Sequence, residues 1–341
     1  MTTASNEIES VSIVAAPALS PAEEALFAAV FMTINLILPP FVIVCGVVGN
    51  TLSFLVLRQP HYAKQTTCFY MRCLSVFDSY LLLGNVVLRT VINYHPKFML
   101  GAVAGPVVCP MLWFVALNFY GLSNWTIVAM SCDRLIAVRF PLKAVVWCTK
   151  KKARVTVAII FMVCLCLQVP NLFRTMDPTA TITKQICAFR PGFFPPGFLH
   201  EYYNIYSICS VSTPFCCIAL TNTCIVVTLI QTRVRTAELK KTAKDGSGGH
   251  VTILLFLVTS IFFITNLPWT IDQWASNLIM DSVRMTEAKA IIVRKLIYEI
   301  MVLLLFINPS VNFYIYCLGC KKFRKDLQII LKSFCSKVET N

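Results

Sequence analysis

Ser131-Cys132-Asp133-Arg134-Leu135-Ile136-Ala137-Val138 places an acid and an arginine side by side at the end of a long apolar segment. The segment begins near Val107 and carries no other charged residue before Arg139. A charged pair is costly to bury in hydrocarbon, so we expect it where the segment meets water. We expect Asp133 to hold Arg134 in a charge-assisted hydrogen bond until another group competes for the guanidinium. The pair suits a switch, but basic residues also mark the cytoplasmic helix ends of membrane proteins in general.

The composition indicates a membrane protein. Of the 341 residues, 57% are hydrophobic and 13% are charged, whereas ordinary soluble domains have about 25% charged residues. An apolar helix of about 20 residues is long enough to cross a bilayer. Seven segments meet this length: 28–57, 67–94, 106–139, 153–174, 202–232, 251–280 and 290–317. The sequence therefore predicts an all-α membrane protein, a bundle of seven transmembrane helices.

The distribution of charge predicts the orientation of the bundle. The first 27 residues contain four glutamates and no basic residue, whereas the loops after the third and fifth spans and the tail are strongly basic. Basic loops remain in the cytoplasm. We therefore expect a multi-pass plasma-membrane protein whose amino terminus is extracellular and whose carboxyl terminus is cytoplasmic. The net charge of +14 then reflects topology and contact with anionic lipids rather than nucleic-acid binding. The predicted regions are an extracellular tail (1–27), the bundle (28–317), an amphipathic membrane-surface helix (318–335) and a cytoplasmic tail (336–341).

The cysteines separate by compartment. Of 16 cysteines, only Cys109 and Cys187 fall on the predicted outer side, where thiols are oxidised. A disulfide between them would pin the outer loop over the bundle. Cys335, near the end of the amphipathic segment, is a candidate for palmitoylation.

These landmarks resemble the rhodopsin-like (class A) G-protein-coupled receptors over roughly residues 28–335. The sequence of Asp133, Arg134 and Leu135 matches the family's Asp-Arg-Tyr triplet, with Leu in place of Tyr. The other matching residues are Asn50 in the first span, Asp78 in the second, Cys109 with Cys187, the span prolines Pro170, Pro214 and Pro268, Phe262, Tyr316, and Phe323 seven residues after that tyrosine.

The resemblance implies three internal sites. One is a pocket for an allosteric Na⁺, formed by Asp78, Ser123, Asn308 and Asn312. No other cofactor is expected. The switch for G-protein coupling would involve Asp133, Arg134, Leu142 and Tyr316. An activation hinge in the sixth span would comprise Phe262, Asn266 and Pro268.

The chain departs from the family pattern at the hinge and in the seventh span. Asn266 occupies the position of the family's sixth-span tryptophan, and Phe313 replaces the proline of the Asn-Pro-X-X-Tyr motif, with Pro309 one turn earlier. No acid lies near Gly248 to lock Arg134 from the sixth span. These changes leave the predicted fold unaffected and fall on residues of the activation relay.

The ligand is predicted partly by exclusion. Ala116 stands where amine receptors carry an aspartate, and Phe306 where opsins carry the lysine that binds retinal. The outer half instead carries a mixed polar set that suits a peptide: Arg89, Tyr120, Asp272, Gln273, Tyr298 and Glu299. The chain further resembles invertebrate neuropeptide receptors of the FMRFamide-like group. We expect Glu299 or Asp272 to pair with a basic peptide side chain, the alternative being that both are solvated rim charges.

The partners implied are an extracellular peptide, a heterotrimeric G protein, arrestin, a receptor kinase and membrane lipids. A chemosensory receptor of the same fold is the alternative function. A transporter or channel is less favoured, because the chain shows no internal repeat. No enzyme is predicted, and His61, His95, His200 and His250 lack the spacing of a metal site.

Overall fold

The computed structural model describes residues 21–62, 65–94, 105–176, 187–239, 249–279 and 288–339. The helices are α1 (Pro21–Met32), α2 (Leu38–Leu57), α3 (Thr66–Tyr94), α4 (Gly105–Arg139), α5 (Pro141–Trp147), α6 (Lys150–Gln168), α7 (Phe198–Ser207), α8 (Thr213–Leu239), α9 (Gly249–Ile279), α10 (Ala288–Gly319) and α11 (Lys321–Glu339). Two short strands, β1 (Arg174–Met176) and β2 (Cys187–Phe189), form an antiparallel hairpin. Single π turns at Thr33–Ile37 and Ile208–Ser212 join α1 to α2 and α7 to α8, and 3₁₀ turns lie at Pro60–Tyr62 and Val169–Phe173.

Seven helical segments follow the seven predicted spans, so the predicted fold class is confirmed. Among the described residues, five stretches are long and apolar enough to cross a membrane. They are Leu38–Leu57, Val107–Arg139, Lys150–Phe173, Phe198–Thr232 and Leu296–Gly319. The helices α3 and α9, of 29 and 31 residues, also exceed the length that a bilayer requires.

The helices extend beyond some predicted boundaries. The first helical segment begins at Pro21 instead of residue 28, and the fifth begins at Phe198 instead of residue 202. The apolar pattern identifies only the part of a helix that suits hydrocarbon, because a helix continues wherever its backbone hydrogen bonds continue. The region boundaries drawn from the sequence remain predictions.

The helix α4 occupies the centre of the bundle, packing against α3, α6, α8, α9 and β1. Two glycines of α2 allow it to pack closely against α10. A β-carbon at Gly46 would lie 2.4 Å from the Ser310 Oγ, and one at Gly49 would lie 2.9 Å from the Phe313 Cβ. Both separations are shorter than a non-bonded contact allows, so these two positions require glycine for the helices to approach as they do.

The core is arranged in layers along the bundle. One layer contains Leu57, Met130 and Tyr316, a second contains Phe262, and a third contains Phe306. Polar side chains lie between these layers, and their contacts define the site described below.

The fifth span contains a local break in its backbone hydrogen bonding. In the π turn, the Thr213 N–H donates to the Ile208 carbonyl, so it is diverted from the Cys209 carbonyl one turn earlier. Pro214 has no N–H and cannot donate to the Ser210 carbonyl. The successive carbonyls of Cys209 and Ser210 therefore need donors from elsewhere.

The third span supplies both donors. The Asn124 Nδ2 donates to the Ser210 carbonyl and the Trp125 Nε1 donates to the Cys209 carbonyl, each at 3.0 Å. Asn124-Trp125-Thr126 matches the Asn-X-Ser/Thr pattern of glycosylation sites, but the match is fortuitous because the Asn124 side chain is buried.

The helix α11 is fastened to the bundle at its beginning. Phe323 is buried, with its ring centroid 5.7 Å from that of Tyr316. Arg324 donates to the last carbonyls of α10, those of Cys317 at 2.8 Å and Leu318 at 3.1 Å. Farther along, the Asp326 carboxylate accepts from Tyr62 at 2.9 Å and lies 2.9 Å from the His61 Nε2.

Candidate functional site: a polar network through the bundle

A fully buried carboxylate joins three helices near the middle of the bundle. Asp78 lies 12 residues after the first residue of α3, about 18 Å along the helix axis. Its Oδ1 accepts from the Ser123 Oγ of α4 at 2.6 Å, and its Oδ2 accepts from the Asn312 Nδ2 of α10 at 2.8 Å. The structure thus brings together three of the four residues predicted for the sodium site.

The fourth residue, Asn308, lies one turn before Asn312 and is also buried. The Oδ1 atoms of Asn308 and Asn312 are both buried, with no hydrogen-bond partner among the described residues. A carboxylate, a hydroxyl and two unpaired amide oxygens are the oxygen ligands that a hard cation prefers. The described residues therefore fit the chemistry of a Na⁺ site.

The acid–arginine pair is arranged differently from the prediction. Asp133 and Arg134 form no ion pair with each other. Instead, Asp133 accepts from the Thr66 Oγ1 at 2.7 Å, and an Arg134 Nη2 donates to the Thr67 Oγ1. Adjacent residues of a helix point in different directions, so each side chain finds its own threonine.

This use of Thr66 and Thr67 was missed in the sequence. The available signal was two successive hydroxyl residues at the start of α3, at the end of the bundle where a charged pair must find partners. The Arg134 Nε is also buried and has no partner among the described residues. The guanidinium therefore has donors left over for another group.

The remaining predicted switch residues lie at opposite extremes of burial. Leu142, in the short helix α5, is 89% exposed. Tyr316 is buried in the core layer that contains Leu57 and Met130.

The predicted hinge residues are connected to the third span. The Asn266 Oδ1 accepts from the Tyr120 hydroxyl at 3.3 Å, and its Nδ2 donates to the Phe262 carbonyl at 2.9 Å. Pro268 lies inside α9. Asn266 thus provides a polar link in place of an aromatic ring, and it joins the predicted hinge to Tyr120, a predicted ligand residue.

The other predicted ligand residues are only partly described. Asp272 and Glu299 are half-buried, and the Tyr298 ring lies 5.5 Å from that of Trp269. The side chains of Arg89 and Gln273 lie outside the described residues, and the role of the whole set remains a prediction.

The hairpin of β1 and β2 is held by a buried arginine that no sequence motif indicated. The Arg174 guanidinium donates to the Asn171 Oδ1 at 2.8 Å and to the Tyr203 hydroxyl at 3.0 Å. It lies 4.4 Å from the Trp113 ring centroid and 4.2 Å from that of Phe189. Burial lowers the pKa of Arg174, which the Tyr203 hydroxyl partly offsets. This cluster fixes β1 and β2 against the beginning of α4, where Trp113 lies.

The predicted disulfide is partly within the described region. Cys109 is buried and disulfide-bonded, and β2 begins at Cys187. The side chain of Cys187 lies outside the described residues, so this pairing remains a prediction. The side chain of Cys335 lies outside them as well.

Residues 49–316 match the family described as 7 transmembrane receptor (rhodopsin family). This chain belongs to that family. The match contains the whole polar network from Asn50 to Tyr316, and it describes a family of multi-pass membrane receptors rather than a class of enzymes.

Several curated proteins are similar to this receptor. The FMRFamide peptide receptor frpr-18 of Caenorhabditis elegans is 24% identical over 306 residues, which are 86% of this chain and 68% of that protein. The FMRFamide receptor of Drosophila melanogaster is 24% identical over 84% of this chain, and the match spans about half (52%) of its own length. The somatostatin receptor type 2 of Mus musculus is 24% identical over 88% of this chain and 78% of that protein.

Proposed function

We propose that this receptor binds an extracellular neuropeptide and activates a heterotrimeric G protein. The observation that carries the proposal is its similarity, over 84–88% of the chain, to three receptors that are named for peptides. The mixed polar residues of the outer half support a peptide rather than an amine or a lipid. In this proposal, Asp272 or Glu299 pairs with a basic side chain of the peptide.

The proposed orientation follows the charge distribution. The amino terminus is extracellular, and the basic loops and α11 face the cytoplasm of a plasma membrane. The exposed Leu142 is then available to the G protein, and later to arrestin and a receptor kinase. Cys335 would carry a palmitoyl group beside the inner leaflet.

The mechanism is a shift between two populations. In the resting state, Thr67 holds Arg134, and Tyr120 links α4 to α9 through Asn266. Agonist in the outer cavity favours a state in which α9 swings outward about Pro268. Arg134 then exchanges Thr67 for groups of the G protein, which releases GDP.

The buried carboxylate offers an allosteric input to the same shift. Asp78, Ser123, Asn308 and Asn312 would supply the oxygen ligands of a Na⁺ ion, whose charge would balance that of the carboxylate. These residues come from α3, α4 and α10, so their contacts favour one relative position of the three helices.

The first experiment measures G-protein dissociation in transfected cells that are exposed to a panel of amidated neuropeptides. The native receptor is compared with Arg134→Ala, with surface expression measured for both. We expect a potent response that is lost in the variant. Silence from a surface-expressed native receptor would favour the chemosensory alternative, and a ligand-evoked ion current without G-protein dissociation would contradict the proposal.

A second experiment tests the resting contact of the switch. Thr67→Val removes the hydroxyl that holds Arg134, whereas Thr67→Ser keeps it. Hydrogen bonds to charged groups contribute about 1.5–3 kcal/mol, so we expect at least about a tenfold rise in the ratio of active to resting receptor. Basal signalling should rise in the valine variant alone. Equal basal activity in both variants would show that this contact does not stabilise the resting state.

A third experiment tests the charge complement of the outer cavity. Asp272→Asn and Glu299→Gln are combined, and an active peptide is compared with its analogue carrying citrulline in place of arginine. If an acid pairs with the peptide, the double variant loses potency for the native peptide and no longer distinguishes the two. Glu201→Gln, an exposed acid at the beginning of α7, is the matched control. Unchanged potency in the double variant would exclude the pairing.

A further inference from the structure

A groove opens on the perimeter of the bundle, between the cytoplasmic halves of α2, α3 and α6. Its volume is about 350 Å³, within the range of sites that bind small ligands, roughly 300–1,000 Å³. It is lined by Phe54, Phe69, Arg72, Cys73, Val76, Phe77 and Arg154. Each of these side chains is at least partly exposed, so the groove faces the surroundings of the bundle and not its interior.

The lining combines an apolar surface with two positive charges. Arg72 and Arg154 are its only charged members, and neither forms an ion pair with any described residue. The Arg72 Nε is buried and has no hydrogen-bond partner among the described residues, which is a costly state for a donor. The Arg72 guanidinium carbon lies 5.9 Å from the Phe69 ring centroid, so the groove offers a guanidinium beside its aromatic wall, with one donor nitrogen unused within the described structure.

The depth of the two arginines suits the boundary between headgroups and acyl chains. Arg72 lies six residues, about 9 Å, after the first residue of α3, and Arg154 lies four residues, about 6 Å, after that of α6. Long basic side chains near helix ends extend toward the interface. The ring of Phe77 continues the groove toward the middle of the bilayer, since Phe77 precedes the mid-span Asp78, whereas Phe54 lies three residues before the end of α2.

We propose that this groove binds an anionic phospholipid of the inner leaflet. The phosphate and the anionic headgroup would bind between Arg72 and Arg154, because guanidinium groups bind phosphate oxygens in bidentate fashion. One acyl chain would pack along Val76 and the aromatic rings. Unlike the diffuse attraction of basic loops to the membrane surface, this site holds one lipid in a defined position. The choice of leaflet rests on the proposed orientation, but the binding itself does not depend on the ligand or the G protein.

The test is native mass spectrometry of the purified full-length receptor. The receptor is titrated with phosphatidylserine, or with phosphatidylcholine of the same acyl chains, and the affinity of each bound lipid is measured. Each arginine should contribute about fivefold in affinity. We therefore expect Arg72→Gln with Arg154→Gln to weaken the tightest phosphatidylserine site about 25-fold. Lysine at both positions should weaken it less, and Arg139→Gln, a cytoplasmic arginine outside the groove, should leave it unchanged.

Two further arms separate the headgroup from the chain. Glycerophosphoserine, which lacks acyl chains, should bind far more weakly than the lipid if the apolar wall takes part. Val76→Trp fills the groove without altering its charge and should displace the lipid. If the double arginine substitution prevents folding, Arg154→Gln alone is tested, because Arg154 is exposed. Equal affinity for the two phospholipids, tight binding of glycerophosphoserine, or unchanged lipid binding in the arginine variants would overturn the proposal.

Discussion

The hydrogen bond from Asn124 to the Ser210 carbonyl should stabilise the bundle because Pro214 removes the normal donor. Asn124→Leu keeps the size of the side chain and leaves this buried carbonyl without a partner. An unsatisfied buried group costs about 1–3 kcal/mol, while hydrogen bonds between transmembrane helices average about 0.6 and reach about 1.7 kcal/mol. We expect a loss of about 1 kcal/mol, a roughly fivefold change in the unfolding equilibrium.

A double-mutant cycle isolates this cause. Pro214→Ala restores an N–H that can reach the Ser210 carbonyl, so Asn124→Leu should cost less in the P214A background. Other contacts of Asn124 are lost in both backgrounds and therefore cancel. The coupling should be most of the 1 kcal/mol.

The assay is unfolding of the purified receptor by SDS in mixed micelles, followed by near-ultraviolet circular dichroism. Trp125→Phe is the companion variant, because the Trp125 Nε1 donates to the neighbouring carbonyl of Cys209, whose normal donor is diverted and not absent. Its cost should change less in the P214A background. If Asn124→Leu costs the same in both backgrounds, the carbonyl of Ser210 is not what Asn124 satisfies, and the reasoning is refuted.

Two further predictions concern helix contacts. Gly46→Val should abolish surface expression of the folded receptor, because even its β-carbon would lie 2.4 Å from the Ser310 Oγ. Gly84→Ala is the control and should be tolerated, because the nearest atom to the added β-carbon is 3.7 Å away. Normal surface expression of both variants would show that α2 and α10 separate easily. Asp326→Asn should weaken the contacts of α11 with His61 and Tyr62. Faster amide hydrogen exchange at the beginning of α11 is the measurement, and unchanged exchange would be the contradicting result.

The seven spans could be predicted from the sequence because the bilayer imposes one strong requirement, about 20 apolar residues per crossing. Buried polar residues in such spans are rare and costly, which made Asn50 and Asp78 conspicuous. Both are buried in the bundle: Asn50 donates to the Pro309 carbonyl at 2.9 Å, and Asp78 joins α3, α4 and α10.

The partners of these groups could be predicted less well. The sequence placed Asp133 beside Arg134 and suggested a pair, but helix geometry directs them to two different threonines. The hairpin likewise depends on Arg174 being enclosed by rings from α4 and β2. Contacts of this kind join residues far apart in the chain, and hydrophobic periodicity contains no information about them.

The sequence by itself determined the number of spans, the expected orientation and the residues that must avoid hydrocarbon, because these depend on the cost of placing each side chain in lipid. The tertiary structure alone decided which groups meet. It paired Asn124 with a carbonyl that proline had orphaned, joined Tyr120 to Asn266 across two helices, and left two arginines beside an apolar groove. Those outcomes depend on helix rotation and on distances of a few ångströms, which only the packed bundle fixes.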